Sequence, residues 1–508
     1  MATESGNKYP IRDRWSYLWL GIAAILLVFT NGMYRNPFAA VLSAIFLLRF
    51  LRSQKKGRGY LLMLAVEVVA NIIAWWYLMP NFTTPMRIIF GTFVGLMYTI
   101  PFLLDRVLVG RFNAFTATLV FPIIRTAFEF LTLWPNPIGT FGSLAYSQFS
   151  SVYLTQIASI TGIWGITFLV TWFASIVNWI WEEGAVWPRL RRGLAIYGSL
   201  MLLVLLYGSI RLAIFQPQGG TVRIHGVIET DYTRHEWDTQ MWPLSKTDPQ
   251  AFRLMMAPIY ERYLQASVRE ARAGAQIVVW PEVAAEGFQD DLDAMLARAQ
   301  DIARQESIYL AVGLNIISPD TSEGENRLVL IDPNGDVAIN YRKYGCTALN
   351  MYNYAIPAVD TPYGKLGVVI CCDLDYPYVI RQVNQLGVDF LLVPSFEPTW
   401  QNISAHSQMA AFPAIANGVS IFRPTSTGVS QAIDPYGRLL ASMDATRVDE
   451  RVFVVQQPAQ HVTTVYSVVG ELFGWLSVVG FFTLLGIAIF KKRVDKVVTS
   501  GEPQSPSA

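Results

Sequence analysis

Three stretches of the chain end in side chains that could do chemistry. Val278-Val279-Trp280-Pro281-Glu282 places a carboxylate just past an apolar run, after a proline that ends strand pairing. A partly desolvated Glu at a sheet rim can serve as a general base, whereas the same residue on an exposed turn is a surface charge. Asn340-Tyr341-Arg342-Lys343 puts a lysine at a strand end, beyond the turn Asp332-Pro333-Asn334-Gly335. Alone it reads as a solvated cation. Gly367-Val368-Val369-Ile370-Cys371-Cys372-Asp373 ends a buried apolar strand in a thiol at a strand-to-helix turn. Backbone N–H groups and a nearby cation would favour the thiolate there; otherwise Cys371 is a small buried hydrophobe. The chain has 3 cysteines, Cys346, Cys371 and Cys372, all in one short stretch. That spacing points to chemistry more than to a disulfide scaffold. His225, His235, His406 and His461 lack ligand spacing, so neither a metal nor an organic cofactor is expected.

These residues need elements to hold them. Strands are expected at 222–228, 276–280, 308–313, 327–332, 336–341, 366–371, 389–394, 419–423, 430–434 and 451–455. Helices are expected at 250–272, 290–305, 377–386 and 404–417. Strands alternating with helices imply a layered α/β fold. Glu282, Lys343 and Cys371 all sit at strand ends, which a sheet can bring together. Side chains alternate along a strand, so only one of Cys371 and Cys372 should face the other two residues.

The rest of the chain is of another kind. Only 15% of residues are charged, against about 25% in a soluble protein. The deficit lies in residues 15–214, while 220–457 reads as soluble. Membrane spans are expected near 15–31, 37–51, 60–79, 87–104, 113–133, 156–181, 193–214 and 471–490. Trp15–Trp19 is bulky and no small-residue site follows the first span, which argues against a cleaved signal peptide. Lys and Arg concentrate in alternate loops: Lys8, Arg12 and Arg14; Arg52 to Arg58; Arg106 and Arg111; Arg189 to Arg192; Lys491 to Arg493. These flanks should be cytoplasmic, leaving 220–457 outside. The expected division is 1–219 with about seven helices, 220–457 as an extracytoplasmic catalytic domain, and 458–508 with a last helix and a cytoplasmic tail. Residues 134–155, with Trp134, Phe141, Tyr146 and Phe149, read either as a Gly/Pro-shaped loop or as a re-entrant segment beside a lipid-facing site. A net charge of +1 offers no case for nucleic acid.

A Glu, a Lys and a Cys at three strand ends, in that order, resemble the triad of the nitrilase (carbon–nitrogen hydrolase) superfamily. The matching strings are Trp280-Pro281-Glu282, Tyr341-Arg342-Lys343 and Gly367 to Asp373. The resemblance implies an αββα sandwich, with Cys371 as nucleophile and Glu282 as general base. Lys343 and the backbone N–H of Cys372 would steady thiolate and oxyanion, with Asp373 in support; Cys372 stands where the family has an aromatic residue. Multiple spans, then this domain, then one span, look like the apolipoprotein N-acyltransferase family. Arg125–Leu131, Tyr146-Ser147-Gln148, His406-Ser407-Gln408-Met409, Arg423 before Thr427-Gly428, and Thr464-Val465-Tyr466 carry that likeness. It implies a multi-pass cytoplasmic-membrane enzyme. Such an enzyme moves an acyl chain from a phospholipid, through a cysteine thioester, to the amine of a lipoprotein.

The sequence departs from that pattern at three places. A second family Glu falls near Met351 and a third near Ala416, where no acid stands, and the segment from Lys343 to Cys371 is short. The apolar stretch Ala348, Leu349, Met351, Tyr352, Tyr354 and Ile356 either lines a lipid path or packs over the sheet. Three functions stay open on the residues alone: the acyltransferase, a membrane-tethered amidase, and a non-catalytic relative that binds lipid or lipoprotein.

Overall fold

The computed structural model describes residues 9–500 apart from 79–81, 134–135, 137, 319–323, 346–354 and 398–404, and leaves aside the side chains of 234 and 492–500. Cys346, Met351, Trp134 and the stretch 348–354 discussed above lie outside the described residues.

Residues 221–458 fold as two sheets packed face to face. The first is built from β1 (Thr221–Val227), β2 (Ile277–Val279), β3 (Ala285–Gly287), β4 (Tyr309–Ile316), β5 (Glu325–Ile331) and β6 (Val337–Arg342), closed by β13 (Val452–Pro458). The second runs through β7 (Ala358–Thr361), β8 (Gly364–Val368), β9 (Phe390–Leu392), β10 (Ser420–Arg423), β11 (Val429–Ile433) and β12 (Leu439–Asp444). Their orders are β13-β1-β2-β4-β5-β6, with β3 beside β4, and β12-β11-β10-β9-β8-β7. Alternation sorts the side chains. Ile277 and Val279 face the second sheet with Val222, Ile224, Leu328, Leu366, Val368 and Phe422. Val278 and Trp280 face outward, under the helices Pro249–Arg272 and Gln289–Glu306. On the far side Val383, Ala410, Ala414 and Ile421 bury the outer face of the second sheet. The layering is the expected αββα.

Details differ from the sequence reading. The short β3, β7 and β12 lack a long apolar run and went unread. The helix expected at 377–386 is two pieces, Pro377–Ile380 and Gln382–Leu386. That at 404–417 is Ala405–Met409 and Ala411–Asn417. Residues 234–247 are helical, including a π turn at Trp237–Met241.

Among the described residues, six helices are long and apolar enough to cross a membrane: Lys56–Trp75, Thr84–Arg111, Ala114–Leu133, Ile163–Glu182, Trp187–Ile214 and Leu472–Lys491. The other two expected spans are also helices, Ser16–Leu27 and Pro37–Ser53, but of only 12 and 17 residues. At about 1.5 Å per residue both fall short of a bilayer's hydrocarbon core. Buried charges inside the bundle are paired or hydrogen-bonded: Glu67 to Asn71, Arg106 to Leu51 O, Arg211 to Gln156. Arg52 makes two-pronged bonds to Asp105 at 2.9–3.1 Å and reaches Glu182 at 3.1 Å. An unpaired charge there would be costly.

The bundle and the sandwich share a core. Phe130, Tyr146 and Trp164 of the membrane part pack with Met409, Phe412, Ile415 and Tyr466. Of the described residues in 134–155, Gly139 and Gly142 shape turns as the loop reading held, Val152 and Tyr153 are exposed, and the middle of the segment packs inward. Leu144–Gln148 forms a buried 3-10 turn wedged between bundle and sandwich.

Candidate active site

Glu282 follows β2 at the rim of the first sheet. Gly313 of β4 makes its position accessible, because a methyl at that glycine would collide with Pro281 O. Lys343 follows β6. Its backbone N–H donates to Asn326 O on β5 at 2.9 Å, and the Asn326 side chain donates to Glu282 Oε1 at 2.8 Å. Lys343 Nζ reaches the same oxygen at 2.5 Å. Sheet pairing therefore sets the Glu–Lys contact. Glu282 is 4% exposed, and among the described residues its Oε2 accepts no hydrogen bond.

Cys371 is where expectation and structure part in detail. The strand expected at 366–371 ends at Val368, and Cys371 opens a 3-10 turn, Cys371–Asp375. Strand alternation therefore does not choose between Cys371 and Cys372. The turn does: Cys371 has φ +49°, a sparsely populated region for a non-glycine residue. Its N–H donates to Pro394 O at 3.0 Å and its Sγ lies 3.9 Å from Phe396 O. Cys371 is a free, buried thiol. Cys372 is disulfide-bonded. The cysteine stretch, expected to serve chemistry more than stapling, therefore holds a bridge as well as the free thiol.

Asp373 ties the two halves of the site together. Oδ1 accepts from Gly345 N at 2.5 Å and Tyr344 N at 3.2 Å, just beyond Lys343. Oδ2 accepts from Tyr341 OH at 2.6 Å and from Ile370 N at 3.0 Å, just before Cys371. Burial pushes its carboxyl up to about 7, against the pull of Lys343 and those N–H groups. Burial works against the Lys343 ammonium, but Glu282, Cys371 and Asp373 outweigh it and hold the lysine charged. Glu282, Lys343, Cys371 and Asp373 are thus one buried cluster spanning both sheets.

A second cluster was not foreseen. Glu397 Oε1 accepts from Arg423 and lies 3.2 Å from His406 Nδ1. His406 Nε2 is 2.9 Å from Asp375 Oδ2. Arg423, fully buried, also donates to Ser407 Oγ at 2.9 Å. Burial opposes charge on His406 and Glu397 alike. Asp375 and Glu397 nonetheless raise the imidazole well above its usual range, and His406 and Arg423 lower the Glu397 carboxyl to about 2. His406 and Arg423 had been read as motif residues without partners. Asp375 and Glu397 carried no signal beyond being acids in an apolar stretch. Ala416 is buried, and among the described residues Asp375 and Glu397 are the acids that meet His406 and Arg423. Among the described residues no group of His, Cys, Asp and Glu is arranged to hold a metal.

A two-sheet hydrolase sandwich joined through a common core to apolar spanning helices defines the class: a membrane-bound member of the carbon-nitrogen hydrolase superfamily. Residues 252–463 match the carbon-nitrogen hydrolase family, and residues 15–176 match the apolipoprotein N-acyltransferase N-terminal domain. The chain is 24% identical over 419 residues to apolipoprotein N-acyltransferase of Geobacter metallireducens, covering 76% of this chain and 77% of that one. It is 25% identical over 450 residues to the protein of the same name from Bradyrhizobium diazoefficiens, covering 79% and 78%. An amidase from Nesterenkonia sp. of known structure is 22% identical with a TM-score of 0.37, covering 48% of this chain and 92% of that one. Both parts of the chain thus match families that meet in apolipoprotein N-acyltransferases, and the relatives it resembles over most of its length carry that name.

Proposed function

We propose that this protein moves an acyl chain from a phospholipid to the N-terminal amine of a lipoprotein, through a thioester on Cys371. The observation that carries the reading is the contact of Glu282 with Lys343 at 2.5 Å beside the free thiol of Cys371. Glu282 takes the thiol proton, and the sulfur attacks the ester carbonyl of the lipid. Lys343 and the Cys372 N–H hold the oxyanion. As the tetrahedral adduct collapses, the C–O bond breaks and Glu282 returns its proton to the departing lysophospholipid oxygen. In the second half the amine attacks the thioester and Glu282 accepts an amine proton. The C–S bond then breaks and the proton returns to sulfur. Atoms and charge balance with no further reactant.

We place the sandwich on the outer face of the cytoplasmic membrane. The alternation of basic loops supports this, and so does the disulfide at Cys372, a bond that persists in oxidising compartments. Purified protein in detergent with phospholipid should add one acyl chain to the amine of a diacylglyceryl-cysteine peptide. Transfer by the Glu282→Gln protein at the wild-type rate would contradict the assignment. Hydrolysis of soluble amides with no transfer to the peptide would favour the amidase reading instead.

A further inference from the structure

We propose that the turn Ile138–Gly142, which belongs to the membrane part of the chain, is a positioning element of the active site, acting on Cys371 through Asp375. The contact is direct. Thr140 donates twice to Asp375 O, from its backbone N at 2.9 Å and from Oγ1 at 2.8 Å. Asp375 closes the 3-10 turn that Cys371 opens, so its carbonyl fixes the far end of the nucleophile's own turn. Gly139 has φ +56°, and a methyl there would collide with Asp375 O, so the approach requires glycine.

A second path runs through side chains. The Phe141 ring meets the His406 ring edge-on with centroids 5.7 Å apart. His406 joins Asp375 to Glu397, and Glu397 follows Phe396, whose carbonyl faces Cys371 Sγ. Both ends of the thiol's surroundings therefore lead back to one turn, some 230 residues earlier in the chain; the Thr140–Asp375 separation is 235. The turn is itself held. Gly142 O accepts from Asn31 and from Tyr98 OH, the latter at 2.8 Å. Thr140 Oγ1 shares a hydrogen bond with Tyr146 OH at 2.6 Å, and the Tyr146 ring stands against Phe412. The membrane part of the chain thus supplies part of the site's rigidity.

The inference concerns the thiol's placement and holds whichever substrate Cys371 attacks, so its test is read on the thiol. In the full-length protein in detergent, Cys371 is alkylated with iodoacetamide over a range of pH and followed by peptide mass spectrometry. Thr140→Val keeps the backbone bond and the side-chain shape but loses Oγ1. It should slow Cys371 alkylation at neutral pH about five- to tenfold, the worth of roughly one buried hydrogen bond, and move the midpoint of the pH profile upward. Thr140→Ser should restore both. Thr140→Val with His406→Gln should lose less than the product of the two single effects, since both act through one network. Wild-type reactivity in Thr140→Val overturns the proposal. So does an equal loss in Thr140→Ser, or a loss with an unmoved pH midpoint, which marks general loosening. Normal alkylation behaviour in a protein that transfers no acyl chain would contradict the proposed function and leave the positioning role standing.

Discussion

Two buried ionic clusters lie a few residues apart in this protein, and they are built on opposite plans. In the first, Lys343 holds one oxygen of Glu282 while the other oxygen accepts nothing among the described residues. Among the described residues the thiol of Cys371 has a long contact to a carbonyl. In the second, both nitrogens of His406 face carboxylates, both oxygens of Glu397 face His406, and two cations meet two anions. Burial is the same, but the unmet atoms differ: a carboxylate acceptor, Glu282 Oε2, in the first cluster and a donor, Arg423 Nε, in the second, where every carboxylate named is met by a cation among the described residues. A group that keeps an unmet acceptor at a buried position is held ready for a proton, whereas a closed network can only hold its neighbours still. On the proposed function, the first cluster does the chemistry and the second supports it.

Removing the open cluster should have the largest effect. Cys371→Ala or Glu282→Gln should lower acyl transfer by about 10⁴-fold or more, with the melting temperature little changed. Retained activity in Cys371→Ala would break the comparison at once. Removing a member of the closed cluster should do the reverse. Arg423→Met leaves Glu397 buried with one cation fewer and should destabilise the sandwich by about 3–5 kcal/mol in chemical denaturation. A small loss there, with catalysis gone, would make Arg423 a participant in the reaction. Gly313→Ala sharpens the first half of the comparison without touching a charge. It pushes Pro281 and Glu282 away from Lys343, and a shift of about 1 Å should lower transfer by about 10²-fold.

The smallest effect is on pH dependence. His406 is held charged, so its contribution to stability is complete below its ordinary value of 6.5 and declines as pH rises through the elevated folded value. Glu397, ordinarily 4.5 and held at about 2, contributes above 4.5 and loses that contribution as pH falls toward 2. Stability should therefore fall away on both sides of a plateau between these ordinary values. His406→Gln should flatten the alkaline side and Glu397→Gln the acid side in denaturation series.

How much of this could be read from the sequence follows from the same contrast. Glu282 and Cys371 follow apolar runs and Lys343 ends an alternating strand, so position along the chain marks them, and the fold does bring them together. The layers were legible because β4 is a long apolar run and β1 and β5 carry apolar residues at strand spacing. By contrast β3 and β7 are three and four residues, held by pairing and not by pattern. The second cluster left no such mark. Asp375, Glu397, His406 and Arg423 lie on a turn, a loop, a helix and a strand, and only the tertiary fold pairs them. The role of 138–142 was hidden for the same reason, since a Gly-Thr-Phe turn reads alike whether it meets solvent or a carbonyl. The two N-terminal helices were read as spans from hydropathy, which measures composition and not helix length: Ser16–Leu27 stops short of the expected 31, and Pro37–Ser53 fills the expected 37–51 but is a short stretch to begin with.

The central claim is that a lipid acyl chain passes through Cys371 sulfur. Incubating the protein with a clickable phospholipid and taking its intact mass and peptide map tests this most directly. The account predicts one acyl adduct, mapped to Cys371, released by hydroxylamine, and absent from Cys371→Ser. An adduct at another residue, or no adduct where a relative from the same family labels under the same conditions, would contradict it.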